Sequence, residues 1–334
     1  MPIALEDRVN DPLIVARAVH FAATLSMAGV AFFQVFIAAP ALQAGGDRTT
    51  LAAIVRRQLA SIAWIALVLC VISGAAWLVI TAQSMSGVDL SEAFSADVLG
   101  TVLLQTGFGQ DWIARFGLVV LLAIMFVPLL SPRQPRPAWI DVAVVALAAA
   151  LAGSLAWAGH AVGAEGIEGI VHPAADFVHL VAAAAWVGTL LPLALLLAAT
   201  GHDGASVAIA RTATMRFSTF GVGSVAMLII TGSINTWYLA GSVPALTETT
   251  YGRLLLVKIA LFLVMVAVAA FNRLHLTPRL VRSAGSASTV GTLQRLRRNA
   301  TLEVAIGAVI IAIVAALGIN PPSFEAIVHV HHYH

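Results

Sequence analysis

The chain has 334 residues, of which 60% are hydrophobic and only 10% are charged. Soluble domains carry charges at nearer a quarter of their positions, so this composition excludes an ordinary soluble protein and indicates a membrane protein. The formal net charge is +2, and no basic cluster is interleaved with aromatic residues, so nucleic acid is not indicated as a partner. The single cysteine, Cys70, excludes an intramolecular disulfide framework and a paired-cysteine metal site.

Eight apolar runs are long enough to cross a lipid bilayer as helices. They cover approximately residues 13–39, 58–81, 112–130, 139–160, 173–198, 216–240, 252–272 and 300–319. A membrane β-barrel would show short alternating segments instead, so we predict an all-α polytopic protein with one transmembrane domain, residues 1–334. The N-terminal residues lack the basic region of a signal peptide, and the first helix is therefore expected to be retained.

The basic residues are unevenly divided between the two sides that eight spans would create. One side holds thirteen of the eighteen lysines and arginines: Arg48, Arg56, Arg57, Arg133, Arg136, Arg211, Arg216, Arg273, Arg279, Arg282, Arg295, Arg297 and Arg298. By the positive-inside rule this side is cytoplasmic, which predicts that both termini lie outside. The opposite, outer half then contains eight of the ten histidines.

Three segments outside the spans have a distinct composition. Residues 82–111 include a candidate capping serine but too few apolar residues to span, so we predict an outer loop with an interfacial helix. Residues 283–299 are small, polar and basic, and we predict a solvated connector next to anionic headgroups. The tail, residues 329–334, is rich in histidine and is predicted to lie outside.

The fifth run opens with three polar side chains, His172, Asp176 and His179, at positions i, i+4 and i+7. This spacing places all three on one face of an α-helix. Ionisable groups inside a membrane are costly and often mark a functional site; the alternative is that they satisfy a helix end or one another. His20, in the first run, lies at a similar depth below the outer surface, judged from the rise per residue of a helix.

Imidazole and carboxylate groups in a poorly hydrated pocket suit a transition metal or a proton. We therefore predict a metal site formed by His20, His179 and Asp176, with His160 and His172 as further ligands. Additional candidate ligands are one methionine on the same helix face as His20 and four tail histidines: Met27, His329, His331, His332 and His334. A methionine in an apolar helix more often fills core space, so Met27 has this second interpretation.

Lys258, the single lysine, lies a few residues inside the seventh run, near the predicted depth of Asp176. It is expected either to form an ion pair with Asp176 or to extend towards the headgroups. At the inner side, Asn272-Arg273 and Glu303 are expected to pair with loop arginines and to serve folding.

The chain contains no HExxH, nucleophile-elbow or P-loop motif, which favours a transporter over an enzyme. Two histidines on different helices could instead hold a haem b through its axial positions.

A series of motifs in a fixed order resembles the copper resistance D (CopD) family of bacterial inner-membrane proteins. The resemblance extends from about residue 15 to residue 322. The motifs are Thr106-x-Phe108-Gly109-x-x-Trp112-x-x-Arg115; Trp157-x-Gly159-His160-Ala161; His172-x-x-x-Asp176-x-x-His179 with Trp186-x-Gly188; Phe217-Ser218-x-Phe220-Gly221 with Thr231-Gly232; Tyr251-Gly252-x-Leu254-Leu255-x-x-Lys258; Asn272-Arg273; Pro278-Arg279; Arg297-Arg298-x-x-x-x-Glu303; and Gly318-x-x-Pro321-Pro322.

The resemblance implies an eight-helix inner-membrane protein that is linked to copper import or tolerance. Such proteins often work with a periplasmic, copper-binding CopC-like protein, and for this chain a separate partner of that kind or none is implied. Our hypothesis is that the chain moves copper from the periplasmic side to the cytoplasm after capture by the outer histidines. Two alternatives are a haem- or copper-dependent membrane oxidoreductase that uses the same histidines, and a copper sensor or docking subunit without flux. Both oxidation states of copper are compatible with these residues.

Overall fold

The computed structural model describes residues 12–45, 50–131, 137–158, 168–240, 243–282 and 287–320, which are almost entirely helical and contain no strand. Eight helices in these ranges are long and apolar enough to cross a membrane: α1 (Pro12–Gly45), α2 (Thr50–Ser86), α3 (Gly107–Leu129), α4 (Ala138–Ala158), α5 (Gly169–Ala199), α6 (Gly204–Leu239), α7 (Thr250–Arg282) and α8 (Thr289–Leu317). The predicted all-α class and the predicted number of spans are confirmed.

Several helices are longer than the apolar runs that predicted them. Helix α6 begins at Gly204 rather than near residue 216, and α8 begins at Thr289 rather than near residue 300. The predicted solvated connector is therefore wrong over residues 289–299, where Leu293 and Leu296 are buried one helical turn apart. Hydropathy detects only the part of a helix that lies in lipid, whereas backbone hydrogen bonding continues into the headgroup region.

The start of α6 shows how such an extension begins. Asp203 precedes the helix, and its Oδ1 accepts a hydrogen bond from the backbone N–H of Ser206 at 2.9 Å. This is the arrangement of a helix N-cap. Hydrogen bonds from the side chain and backbone of Ser206 hold the pKa of the Asp203 carboxyl below its usual value, so the cap stays ionised at neutral pH.

Helices α1 and α5 form the centre of the bundle. Their apolar windows are 72% and 67% buried by other parts of the chain, against 11% for α7. A Cβ built on Gly29 of α1 would collide with the backbone of Gly188 on α5, and one built on Gly188 would collide with the carbonyl of Leu25. Because both positions are glycine, the two backbones pack in direct contact, as small residues allow in membrane helices.

The connection between α2 and α3 contains two short helices, Leu90–Ala93 and Ala96–Gln105. The second is capped by Ser95, whose Oγ accepts a hydrogen bond from the backbone N–H of Val98 at 3.3 Å. It folds back on the start of α3, where a Cβ on Gly109 would collide with the carbonyl of Val102. It has ten residues and is too short to span, and its position at the membrane interface remains a prediction.

With eight spans, α1 begins and α8 ends at the same end of the bundle. We call this the outer end, following the distribution of basic residues, and the opposite one the inner end. The assignment of the outer end to the periplasm is a prediction. His160 and the histidine-rich tail lie outside the described residues.

Candidate functional site

A cavity of about 190 Å³ lies in the outer half of the bundle, between α1 and the helices α5 to α8. Its polar lining includes His172, Asp176 and His179 from α5 and Lys258 from α7. The i, i+4, i+7 spacing places the three α5 side chains on one face, and this face is directed into the protein. Leucine and valine side chains form much of the remaining wall, so a charge in this cavity is poorly screened by water. We call it the outer cavity.

The hydrogen bonds around His179 determine which ring nitrogen carries the proton. Its Nδ1 lies 2.9 Å from the hydroxyl oxygen of Thr231, and that hydroxyl donates its own proton to the carbonyl of Met227 at 2.7 Å. Thr231 therefore accepts from Nδ1–H, which leaves the lone pair on Nε2. A neutral imidazole with its proton fixed on one nitrogen is the form that ligates a metal through the other.

Asp176 lies one turn before His179 and is hydrogen-bonded by a residue of the neighbouring helix. Its Oδ1 accepts a hydrogen bond from the side-chain amide of Asn235 on α6 at 3.0 Å. Lys258 lines the same cavity, where opposite charges would attract each other strongly because water screens them poorly. The structure thus brings the two proposed partners to one cavity, and a direct ion pair between them remains a prediction.

His172 is nearest the start of α5, and its side chain is buried. Its ring stacks on that of Tyr238 on α6, with centroids 5.3 Å apart and planes 17° from parallel. This contact fixes the plane of the imidazole where the outer cavity approaches the outer end of the bundle. This contact between α5 and α6 was not predicted from the sequence.

His20 lies on a different side of α1. The α1 residues that line the outer cavity are Arg17, Phe21 and Leu25, at i, i+4 and i+8, whereas His20 faces α2. Its Nδ1 lies 3.2 Å from the carbonyl oxygen of Cys70, an acceptor, so Nδ1 carries the proton and Nε2 has the lone pair. Nε2 is buried and makes no hydrogen bond. The structure thus brings α1 and α5 together without placing His20 in the cavity that contains His179.

The surroundings of His20 are aromatic and positively charged. Its ring packs against those of Trp77 and Trp112, with centroids 5.6 and 5.1 Å away. The guanidinium groups of Arg17 and Arg115 lie over these two indoles, 4.5 and 4.8 Å from their centroids, and both arginines are buried. Two buried positive charges disfavour a further cation beside His20. Arg17 also lines the outer cavity, but there the carboxylate of Asp176 supplies an opposing negative charge.

The other predicted ligands are distributed as follows. Met27 is fully buried in the main apolar cluster of the bundle, together with Cys70 and Leu25, as its core-filling interpretation expects. Among the residues that the structure describes, no three histidine, cysteine, aspartate or glutamate side chains form a group that could hold a metal ion. A metal in the outer cavity would therefore have at most two such ligands from the described chain, supplemented by water or by residues outside it.

Two residues that orient the α5 side chains were missed from the sequence. Thr231 and Asn235 are four residues apart on α6, so they share one helix face. Each of them holds one α5 side chain, His179 and Asp176 respectively. The sequence did contain a signal for them, because two polar residues lie on one face of an otherwise apolar run. Assigning partners to them needed the packing of α6 against α5.

An eight-span helical bundle with imidazole and carboxylate groups in an intramembrane cavity defines a class of membrane protein that handles a metal ion or a proton. The comparisons with known proteins narrow this class. The family model described as copper resistance protein D-like, N-terminal domain, matches residues 8–170, and that of copper resistance protein D matches residues 211–317. The chain belongs to the copper resistance protein D family and is a multi-pass protein of the bacterial inner membrane.

Individual relatives agree with this assignment. The chain is 29% identical to copper resistance protein D of Pseudomonas syringae pv. tomato, over 95% of this chain and 99% of that protein. It is 30% identical to the inner membrane protein YebZ of Escherichia coli K12, over 92% of this chain and 98% of YebZ. It is 29% identical to the copper transport protein CutJ of Bacillus subtilis 168, over 63% of this chain and 38% of CutJ. No solved structure matches the chain.

Proposed function

We propose that this protein transports copper from the periplasmic side of the inner membrane to the cytoplasm, and that the outer cavity is where the ion is held within the membrane. The observation that carries the proposal is that His172, Asp176 and His179 line one intramembrane cavity while the hydrogen bond to Thr231 leaves Nε2 of His179 free to ligate. Membership of a copper resistance family supports copper as the ion, and neutral imidazole is a suitable ligand for it.

Four of the polar side chains that line the outer cavity have separate roles in this proposal. His179 supplies Nε2 as a ligand, and His172, nearer the outer end, is the first imidazole that an incoming ion meets. Asp176 supplies negative charge, either as a ligand or by orienting His179 from one turn away. In the empty cavity the charge of Lys258 balances that of Asp176, and an arriving copper ion competes with Lys258 for the carboxylate.

We assign the first binding of copper, before the ion enters the outer cavity, to the outer histidines. His160 and the tail histidines, His329, His331, His332 and His334, are expected to bind copper at the periplasmic surface, and a separate CopC-like protein is the expected donor. Histidines in a terminal run generally make a poorly preorganised site, so we assign the tail to capture at low copper concentration and not to tight retention. The sharing of one ion by His20 and His179, which we expected from the sequence, is the alternative that the variants below test.

The test is copper uptake by the purified protein in sealed liposomes, combined with metal analysis and an absorption spectrum of the same sample. We expect bound copper, uptake above that of empty liposomes, and loss of both in His179→Ala. A Soret band in the spectrum would favour the haem oxidoreductase alternative. Bound copper without uptake would favour the sensor or docking subunit and would refute transport.

A further inference from the structure

A second cavity, of about 320 Å³, lies in the inner half of the same helices, between α5, α6, α7 and α8. We call it the inner cavity. Its wall is largely apolar and includes Trp186, and its polar lining includes Ser218, Asn272 and Glu303. Glu303 and Arg273 are its charged lining residues within the described chain, and Arg273 is exposed, with its guanidinium hydrogen-bonded to the carbonyl and hydroxyl oxygens of Ser218.

Glu303 is almost completely buried, at 1% exposure, and is only partly hydrogen-bonded. Its Oε1 accepts from the amide of Asn272 at 2.9 Å, and the Oδ1 of Asn272 accepts in turn from Asn299 at 2.7 Å. This chain fixes the orientation of the Asn272 amide, so one carboxyl oxygen has a donor. The other, Oε2, is buried without a partner. The predicted pairing of Glu303 with a loop arginine is therefore wrong for the described residues.

An ionised carboxylate in this position would be unstable. One amide donor compensates little of the cost of removing a full negative charge from water, and buried charges in proteins are normally paired or neutralised. In membrane helices, an ionisable group that is retained under these conditions usually faces an ion or proton pathway. Glu303 therefore either carries a proton or balances a cation that occupies the inner cavity.

The two cavities approach each other within about one helical turn. On α8, Gly307 lines the outer cavity and Glu303 the inner one, a separation of about 6 Å along the helix axis. On α5 the neighbouring residues Val187 and Trp186 line the outer and the inner cavity respectively. Only a thin layer of side chains therefore lies between the two spaces.

Trp186 belongs to this layer, since it lines the inner cavity next to Val187, which lines the outer one. It is 1% exposed, and its ring meets that of Phe262 on α7 edge to face, with centroids 5.9 Å apart. The fully buried Met265 belongs to the same apolar cluster. The layer closes the outer cavity from the inner one in this conformation.

We propose that the inner cavity is a second, weaker cation site on the copper path and that Glu303 is its ligand. This inference rests on the proposed transport function and assigns the release side of the same path. When the ion passes the Trp186 layer, Oε2 of the protonated Glu303 gives up its proton and the carboxylate binds the ion. One proton leaves to the inner side for each copper ion bound, and the proton returns when the ion departs to the cytoplasm.

The difference in ligand chemistry between the cavities suits this order of events. The outer cavity offers imidazole nitrogen, which binds copper well, whereas the inner cavity offers the carboxylate oxygen of Glu303, which binds it less well. Net movement requires sites that bind strongly enough to admit an ion and weakly enough to release it. Arg273, at the exposed side of the inner cavity, adds a positive charge that favours release of a cation.

The first experiment compares Glu303→Gln with the matched Glu303→Asp, which keeps the carboxylate. For Glu303→Gln we expect unchanged copper binding in the outer cavity and uptake reduced by at least about tenfold, the effect of losing one charged contact. Glu303→Asp should retain uptake within about threefold, because the ligand class is preserved. The proposal would be overturned if Glu303→Gln took up copper as well as the unmodified protein does. It would also be overturned if Glu303→Asp lost as much uptake as Glu303→Gln while its outer cavity still bound copper normally.

The second experiment tests Glu303 without requiring flux. Infrared difference spectra are recorded on adding saturating copper to the detergent-purified protein, and comparison with Glu303→Gln and Glu303→Asp separates the signal of Glu303 from that of Asp176. We expect loss of a protonated-carboxyl C=O band that is shifted in Glu303→Asp and absent in Glu303→Gln. Absence of this band from the difference spectrum would overturn the inference even if the protein transports copper. Failure of uptake by the unmodified protein with the band present would refute transport instead.

Discussion

His179 and His20 are a matched pair for testing the outer cavity. Both are imidazoles in the outer half of adjacent central helices, and in both the hydrogen-bond pattern assigns the proton to Nδ1. They differ in their surroundings, since His179 lines the outer cavity with Asp176 whereas His20 lies against two tryptophans beneath Arg17 and Arg115. Comparing His179→Ala with His20→Ala therefore separates the ligand role from the general effect of removing a buried histidine.

The structure gives the expected size of each effect. His179→Ala removes the free Nε2 from a cavity with few other ligands, so we expect the dissociation constant for copper to rise at least about hundredfold, or about 2.8 kcal/mol. Thr231 keeps its hydrogen bond to the carbonyl of Met227, so the fold should survive. His20→Ala should change the dissociation constant by no more than about threefold, since its ring does not line the cavity. The double variant should match His179→Ala.

The assay is a competition titration of purified protein in detergent against a copper chelator of known affinity, with helicity by circular dichroism as the control. If the two histidines share one ion, each single substitution should cost nearly as much as both together, because ligands that act as a unit are not additive. That result would support the shared site predicted from the sequence and refute the separation argued from the structure. Full-strength binding by His179→Ala would remove the outer cavity as the copper site altogether.

The remaining predictions concern the same path. Asp176→Asn should weaken copper binding roughly ten- to a hundredfold, the range for a lost orienting partner, as measured by the same titration. A periplasm-active reporter fused after His334 should be active, and activity of a cytoplasm-dependent reporter there would reverse the orientation. Deleting residues 329–334 should impair uptake at low copper concentration and leave tight binding intact, whereas complete loss of bound metal would place the main site in the tail.

The spans and the α5 face could be predicted because both depend on local patterns. A run of about twenty apolar residues is sufficient to identify a spanning helix. The 3.6-residue repeat is sufficient to place His172, Asp176 and His179 on one face, and all three line one cavity. Neither inference required knowledge of which helices are neighbours.

The side to which His20 points could not be predicted in the same way. Its depth below the surface follows from its position in α1, but depth alone does not distinguish a side chain that faces α5 from one that faces α2. The rotation of α1 is fixed by the contact of Gly29 with Gly188, which directs Arg17, Phe21 and Leu25 to the outer cavity. A glycine contact between distant segments leaves no periodic pattern in either segment.

Glu303 shows the same limit at the inner end. Its neighbours in sequence, Arg297 and Arg298, suggested an ion pair, but the bond that forms is to Asn272 of another helix. An arginine would neutralise the charge of the carboxylate, whereas an asparagine amide only donates a hydrogen bond to one of its oxygens. Both residue types are donors, so composition could not show which of them meets Glu303. This distinction decides whether Glu303 serves folding or an ion path.

The packing of the bundle also limits where a conformational change can occur. Helices α1 and α5 are in backbone contact at Gly29 and Gly188, so a shift between them would break the most tightly packed region of the protein. Helix α7 is little buried, and it meets Trp186 of the separating layer through the ring of Phe262. Moving α7 away from α5 breaks far fewer packed contacts than moving α5 away from α1. Displacement of α7 against a fixed α1–α5 centre, as in shear motions of packed helices, is therefore the movement that would open a passage between the two cavities with the least loss of packing.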